Sequence, residues 1–257
     1  MYKITPLRYF LEFSYKGTAY HGWQRQPNSS TVQQQMEDAL NTLLGKETAV
    51  VAAGRTDTGV HAKQMFAHVD LALNVKEVEQ LMHRLNKFLP YDITVNDIHP
   101  VKADAHARFD AMSRSYVYHL VQHKDPFSHE FSYTFTTKID LNVMNAAAKL
   151  LLSHTNFKCF SRSKTDVKTY DCKVTEAYWE QLDYEWIFHI SANRFLRNMV
   201  RAIVGTLIDV GTGKLSLADF QAILKSEDRS KAGSSAPAHG LFLSQVQYPN
   251  TIFEING

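Results

Sequence analysis

Apolar positions along the chain recur in blocks, some with a period of two and some with a period of about 3.6. Arg8 to Tyr15 (RYFLEFSY) is aromatic-rich and predicts a strand. Gly17 and Gly22 then bracket a polar and aromatic loop, Thr18 to Gln26. Thr31 is placed to cap a helix with Val32, Met36, Leu40 and Leu43 on one face, and Gly45 follows as a stop. Strands are predicted at 47–53 and 64–71, joined by the loop Gly54-Arg55-Thr56-Asp57-Thr58-Gly59. A helix capped by Asn74 repeats Val75, Val78, Leu81, Met82 and Leu85, and Asp92 to Ile98 alternates as a strand. The first hundred residues thus read β-α-β-β-α-β.

The remainder repeats that rhythm in longer pieces. Arg114 to His123 and Tyr133 to Ile139 predict strands, and Leu141 to Leu152 a helix. Thr175 to Leu182 and Glu185 to Ala192 predict a hairpin turned by Asp183-Tyr184. A long helix is predicted from Phe195 to about Val210, a short one after Ser216 (Leu217, Phe220, Ile223, Leu224), and a last strand from Leu241 to Tyr248. Gly233 to Gly240 is expected to be a mobile loop. The order of elements predicts an α+β protein of two similar halves, 1–104 and 105–257.

Composition narrows the class. Apolar residues are 44% and charged residues 21% of 257, which excludes intrinsic disorder. Two cysteines, Cys159 and Cys172, frame neither a disulfide-rich fold nor a zinc site. The opening MYKITPLR interrupts any apolar run too early for a signal peptide, and no stretch approaches ~18 apolar residues. The expectation is a reduced, cytoplasmic, soluble protein without a membrane span.

Candidate chemistry begins with Asp57. A carboxylate between glycines and threonines on a turn can serve as nucleophile or base, although Gly, Thr and Asp are also ordinary turn formers. Asp57-Thr58-Gly59 matches the aspartic-protease signature, but that chemistry needs two such aspartates, and a second would have to come from a partner chain. In the long helix, at ~100° per residue, apolar side chains cover most of the circumference. Arg194, Arg197 and Arg201 share the remaining arc with Asn198, Gly205 and Asp209. Asp209 stands ~12 Å beyond Arg201 along the axis, too far to pair with it. The arginines therefore call for a carboxylate elsewhere, a phosphate ligand, or solvent. His106-Ala107-Arg108-Phe109, Arg114 to Tyr118, and Phe157 to Lys168 mix cations with aromatics, as RNA-binding surfaces do and as packed strands also do. His119 and His123 on one strand lie ~13 Å apart, too far for one metal. Gly213-Lys214-Leu215 lacks the Ser or Thr of a P-loop, and no G-x-S-x-G elbow exists. Any catalysis rests on side chains alone, with neither cofactor nor metal expected.

Together these motifs resemble the tRNA pseudouridine synthase TruA family. The resemblance is carried by GTAYHGWQRQ (17–26), TVQ (31–33), GRTDTGVHA (54–62), HARF (106–109), Arg114-x-Tyr116-x-Tyr118, ANRFLRNMVRAIVG (192–205) and APAHGLFL (236–243). It implies the pseudouridine synthase fold, with two ferredoxin-like or RRM-like halves whose antiparallel sheets form a central cleft. It also implies isomerisation of uridine to pseudouridine at positions 38–40 of the tRNA anticodon stem-loop, by a homodimer. On this resemblance Asp57 is the essential aspartate, and attack at C6 of uracil and at C1′ of ribose are both open to it. Arg201 would pair with Asp57 and keep it ionised. Tyr116 would lie against the base and assist proton transfer at C5. Arg55 would fill the gap left by the flipped base, and Leu241 would line the uracil pocket. Arg108, Lys124, Lys164 and Lys168 would contact the tRNA backbone. A non-catalytic RNA-binding module using the same surface is the alternative.

Charge then matters by its distribution rather than by its total of +2. The segments 105–124, 158–173 and 194–201 carry +2, +3 and +3, leaving −6 on the rest of the chain. A basic surface on an otherwise acidic protein suits a polyanionic partner.

Overall fold

The computed structural model describes residues 5–162 and 167–253. The fold is mixed α+β, built on mostly antiparallel pairing with five α-helices among the described residues. The chain divides into two compact units, one comprising Met1–Met112 with Leu243–Gly257 and the other Ser113–Phe242.

The first unit contains β1 (Leu7–Tyr15), α1 (Val32–Leu44), β2 (Val51–Ala52), β3 (His61–Leu71), α2 (Val75–Phe88) and β4 (Ile93–Pro100). β1 is central and antiparallel to β3 and β4, with Leu7 opposite Leu71 and Tyr9 opposite Pro100. β2 adds to β3, giving the order β4-β1-β3-β2. Both faces of β1 are covered, because Phe10 and Leu11 are each fully buried. Phe10 meets the rings of Phe66, Tyr248 and Phe253, while Phe13 packs on Trp23 at 5.3 Å. Thr31 caps α1 by accepting the Gln34 N–H, and Gly45 ends it at φ 67° in the left-handed region. Asn74 and Glu77 form a reciprocal capping box on α2.

The strand predicted at 47–53 shrinks to two residues, for a physical reason. The Thr48 N–H bonds to Asn41 Oδ1 and the Val50 N–H to Glu37 Oε1, while the Val50 carbonyl accepts from Gln33 Nε2. Side chains of α1 have taken these backbone groups before a neighbouring strand could.

The second unit contains β5 (Ser113–Val121), β6 (Tyr133–Thr134), α3 (Leu141–Leu150), β7 (Val174–Leu182), β8 (Glu185–Ala192), α4 (Met199–Gly211) and α5 (Leu217–Ser226), and then opens β9 (Leu241–Gln247). Its sheet order is β5-β8-β7, antiparallel, with β7 and β8 joined by Asp183-Tyr184 as predicted. The strand predicted at 133–139 is only β6, parallel to the end of β5. α4 is buried along most of its length, each fully buried Ile, Leu or Val contributing roughly 1.5–3 kcal/mol.

Two expectations for this unit fail. The helix does not begin at Phe195, because Asn198 takes φ 65° and the Arg197 carbonyl accepts the Arg162 N–H. Arg194 and Arg197 therefore lie outside the helix, and of the three arginines only Arg201 rides on it. The loop expected to be mobile is instead fastened along α4. The Gly233 N–H bonds to Thr206 Oγ1, Ser235 to Asn198 and Arg229, and Ala236 to Arg201. Gly205 admits this strap, since a Cβ there would collide with the Ser234 carbonyl.

No helix among the described residues is long and apolar enough to cross a membrane.

Candidate active site

Asp57 lies in the loop between β2 and β3, and residues on both sides of it are fixed by the segment that follows β1. Thr56 Oγ1 and the Tyr15 hydroxyl share a buried hydrogen bond of 2.8 Å, and the Thr56 carbonyl accepts the Trp23 N–H at 3.3 Å. The Gly59 N–H reaches the Tyr20 carbonyl at 3.3 Å, and the Val60 N–H closes the turn onto the Asp57 carbonyl at 3.1 Å. Two glycines permit this approach. A Cβ on Gly17 would overlap the Val60 carbonyl, and one on Gly22, at φ +87°, would stand 2.5 Å from the Thr56 carbonyl. The Gly17-to-Gln26 segment is thus a brace against which the Asp57 loop is set. The brace is tied in turn to α1, because the Gly22 and Trp23 carbonyls accept the Val32 and Gln33 N–H groups and Arg25 pairs with Glu37 at 3.1 Å. Asp57 is half-buried and Arg55 exposed on the same loop.

Arg108 is exposed on a turn of the first unit that is rigid by its own bonding. The Ala107 N–H bonds to His68 Nδ1, the Tyr248 hydroxyl to the Ala107 carbonyl, and the His106 N–H to the Asp110 carboxylate. Burial, with the nearby His106 and Arg8, lowers the His68 pKa to about 4, so its Nδ1 stays available as an acceptor. The Arg108 guanidinium lies over the Phe109 ring at 5.6 Å.

In the second unit Tyr116 stands on β5 opposite Ile190, half-buried, with its ring edge-on to Phe195 at 5.1 Å. Two residues on, Tyr118 is fully buried and donates to the Pro237 carbonyl at 3.0 Å. Burial pushes this phenol well above the ordinary tyrosine range, which makes it a donor and not an acid. Arg201, in the first turn of α4, donates Nε to the Ala236 carbonyl at 2.8 Å, and its own carbonyl accepts the Ala236 N–H at 2.9 Å. This two-way clasp holds the strap five residues before Leu241, which is buried at the start of β9. Lys124 and Lys168 are exposed, and Lys164 lies outside the described residues.

The residues named from the sequence therefore divide between the units. Arg55, Asp57 and Arg108 belong to the first, and Tyr116, Lys124, Lys168, Arg201 and Leu241 to the second. Tyr15, Tyr20 and Tyr118, whose bonds hold the loop and the strap, escaped sequence reasoning. Their one signal was membership of the aromatic motifs. Both thiols are held protonated by burial, Cys159 with its pKa pushed up to about 12 and Cys172 to about 11. Among the described residues no group of three His, Cys, Asp or Glu side chains could hold a metal ion.

A family model described as tRNA pseudouridine synthase matches residues 13–110 and 147–249, a span that takes in the brace, the Asp57 loop, α4 and the strap. The tRNA pseudouridine synthase A of Porphyromonas gingivalis is 53% identical over 249 residues, covering 96% of this chain and 99% of that protein. The protein of the same name from Bacteroides fragilis is 50% identical over 248 residues, covering 96% and 98%. That from Parabacteroides distasonis is 48% identical over 248 residues, with the same coverage. The chain therefore belongs to the tRNA pseudouridine synthase family, and it is an isomerase acting on tRNA.

Proposed function

We propose that this protein isomerises uridine at positions 38–40 of the anticodon stem-loop, with Asp57 as the essential nucleophile. In that reaction the C1′–N1 bond breaks, the base turns, and C1′ rejoins it through C5. C5 gives up a proton and N1 gains one, so no oxidant or cofactor enters. The observation that carries this reading is the presentation of Asp57, on a loop bonded on both sides of the carboxylate and seated on two glycines. Such fixed placement is what a nucleophile needs to meet its target at attack distance.

Arg201 is the charge partner of Asp57 in this reading, and its Nε clasps the strap. Tyr116 assists the proton transfer at C5, and Leu241 lines the uracil pocket. Arg55 occupies the gap left by the flipped base. Arg108, Lys124, Lys164 and Lys168 contact the tRNA backbone, so binding weakens as salt rises. The protein acts as a cytoplasmic homodimer.

The test uses anticodon stem-loop tRNA tritiated at uridine C5. Wild type is expected to release tritium to water from positions 38–40. Asp57→Ala is expected to release none while binding tRNA with unchanged affinity. Release by that variant at the wild-type rate sinks the assignment of Asp57, and release only from other positions sinks the assignment of the target.

A further inference from the structure

The brace is itself held from outside, by a residue of the turn that precedes β4. The Asp92 carbonyl accepts the Lys16 N–H at 2.9 Å, and the Asp92 carboxylate accepts the Tyr20 phenol at 2.5 Å. Lys16 and Tyr20 flank the 3-10 turn Gly17–Ala19, so one residue fastens both ends of that turn. On its other side the turn meets the end of the Asp57 loop and the start of β3. The Tyr20 N–H closes onto the Gly17 carbonyl at 3.0 Å, and the Tyr20 carbonyl receives the Gly59 N–H. The Gly17 N–H donates to His61 Nδ1 at 3.0 Å, and its Cα lies against the Val60 carbonyl.

We propose that Tyr20 and Asp92 are positioning residues of the reaction, their hydrogen bond setting where the brace holds the Asp57 loop. The inference rests on Asp57 being the reacting carboxylate. Tyr20 is 5% exposed, and Phe at this position fills the same space, so the substitution removes one directional tie and little packing. Asp92 is half-buried, so losing the phenol leaves its carboxylate open to water and not stranded. Asn at position 92 keeps an acceptor oxygen for the phenol, whereas Ala does not. The expected loss lies in the chemical step, because a shift of about 1 Å at a reacting group can cost on the order of 10²-fold in rate.

Single-turnover tritium release, tRNA affinity by filter binding and thermal midpoints are measured for Y20F, D92A, D92N and D57A. Y20F and D92A are expected to slow the single-turnover step about tenfold or more. Their affinity is expected to stay at the wild-type level and their midpoints to fall only slightly, and D92N is expected to recover most of the rate. Wild-type rates in Y20F and D92A beside an inactive D57A overturn the positioning role and leave Asp57 standing. Rates that fall only in step with the midpoints, or a D92N as slow as D92A, also overturn it. An active D57A removes the Asp57 reading and this inference together.

Discussion

The two units answer the same topological demand in opposite ways. Each places its first strand beside the far strand of a later hairpin, β1-β3-β2 in one and β5-β8-β7 in the other, with the two-residue β6 off that path. In the second unit the hairpin is complete, with a nine-residue β7 joined to β8 by two residues, Asp183 taking φ 53°. In the first unit the corresponding hairpin has lost most of β2, and residues 53–60 replace the tight turn. Helix side chains account for part of the difference. Asn145 of α3 satisfies both backbone groups of Trp179 and leaves β7 otherwise intact. In α1, Asn41, Glu37 and Gln33 together draw off residues 48–50. The shortened hairpin is the one that carries Asp57, so the unit that gives up strand pairing gains a loop that the brace can shape.

The strongest way to break the comparison is to fill the space between brace and loop. Gly22→Ala puts a methyl 2.5 Å from the Thr56 carbonyl at a left-handed φ. It is expected to cost about 1–3 kcal/mol and to reduce tritium release by more than tenfold. Gly54→Ala, on the same loop but with nothing within 4 Å, is the control and is expected to keep both stability and activity. Urea unfolding and the release assay separate the two.

A smaller effect is expected where a helix side chain satisfies a strand. Asn145→Ala strands the buried Trp179 N–H and carbonyl and is expected to cost about 1–3 kcal/mol, with turnover per folded molecule unchanged. Asn41→Ala removes the one bond to the Thr48 N–H and is expected to cost less. Equal losses would contradict the division of labour described for α1.

The smallest effect is graded by pH. Burial lowers His68 to about 4, below the ordinary histidine value of about 6.5, so folding favours its neutral form. Its contribution is complete above pH ~6.5 and is lost as pH falls toward about 4, because the unfolded chain takes up the proton first. The urea midpoint is expected to fall between pH 7 and pH 5, and to fall less in His68→Asn.

Local signals made much of this legible in the sequence. Thr31, Asn74 and Ser216 cap α1, α2 and α5, and the hairpin turn falls at Asp183-Tyr184. Periodicity failed where a distant group claimed the backbone. The run 47–53 is apolar enough for a strand, but α1 holds the Thr48 and Val50 N–H groups. The run 195–198 has helical period, but Arg162 takes the Arg197 carbonyl. In the site, Asp57 could be recognised as a carboxylate on a turn, whereas the bonds holding that turn could not. Tyr15 lies 41 residues from Thr56, and Tyr118 lies 119 from Pro237. Such pairings follow from tertiary packing, which no local pattern encodes.

The strap along α4 has one further consequence. Its ties fall at Asn198, Arg201 and Thr206, so they span more than two helical turns, and Tyr118 adds a fourth from the sheet. Releasing Ala236 alone breaks both halves of its clasp with Arg201, and releasing the whole segment also uncovers the Gly205 face of the helix. The segment 233–237 therefore belongs to the same cooperative unit as α4, opening when the helix opens and not as a surface loop.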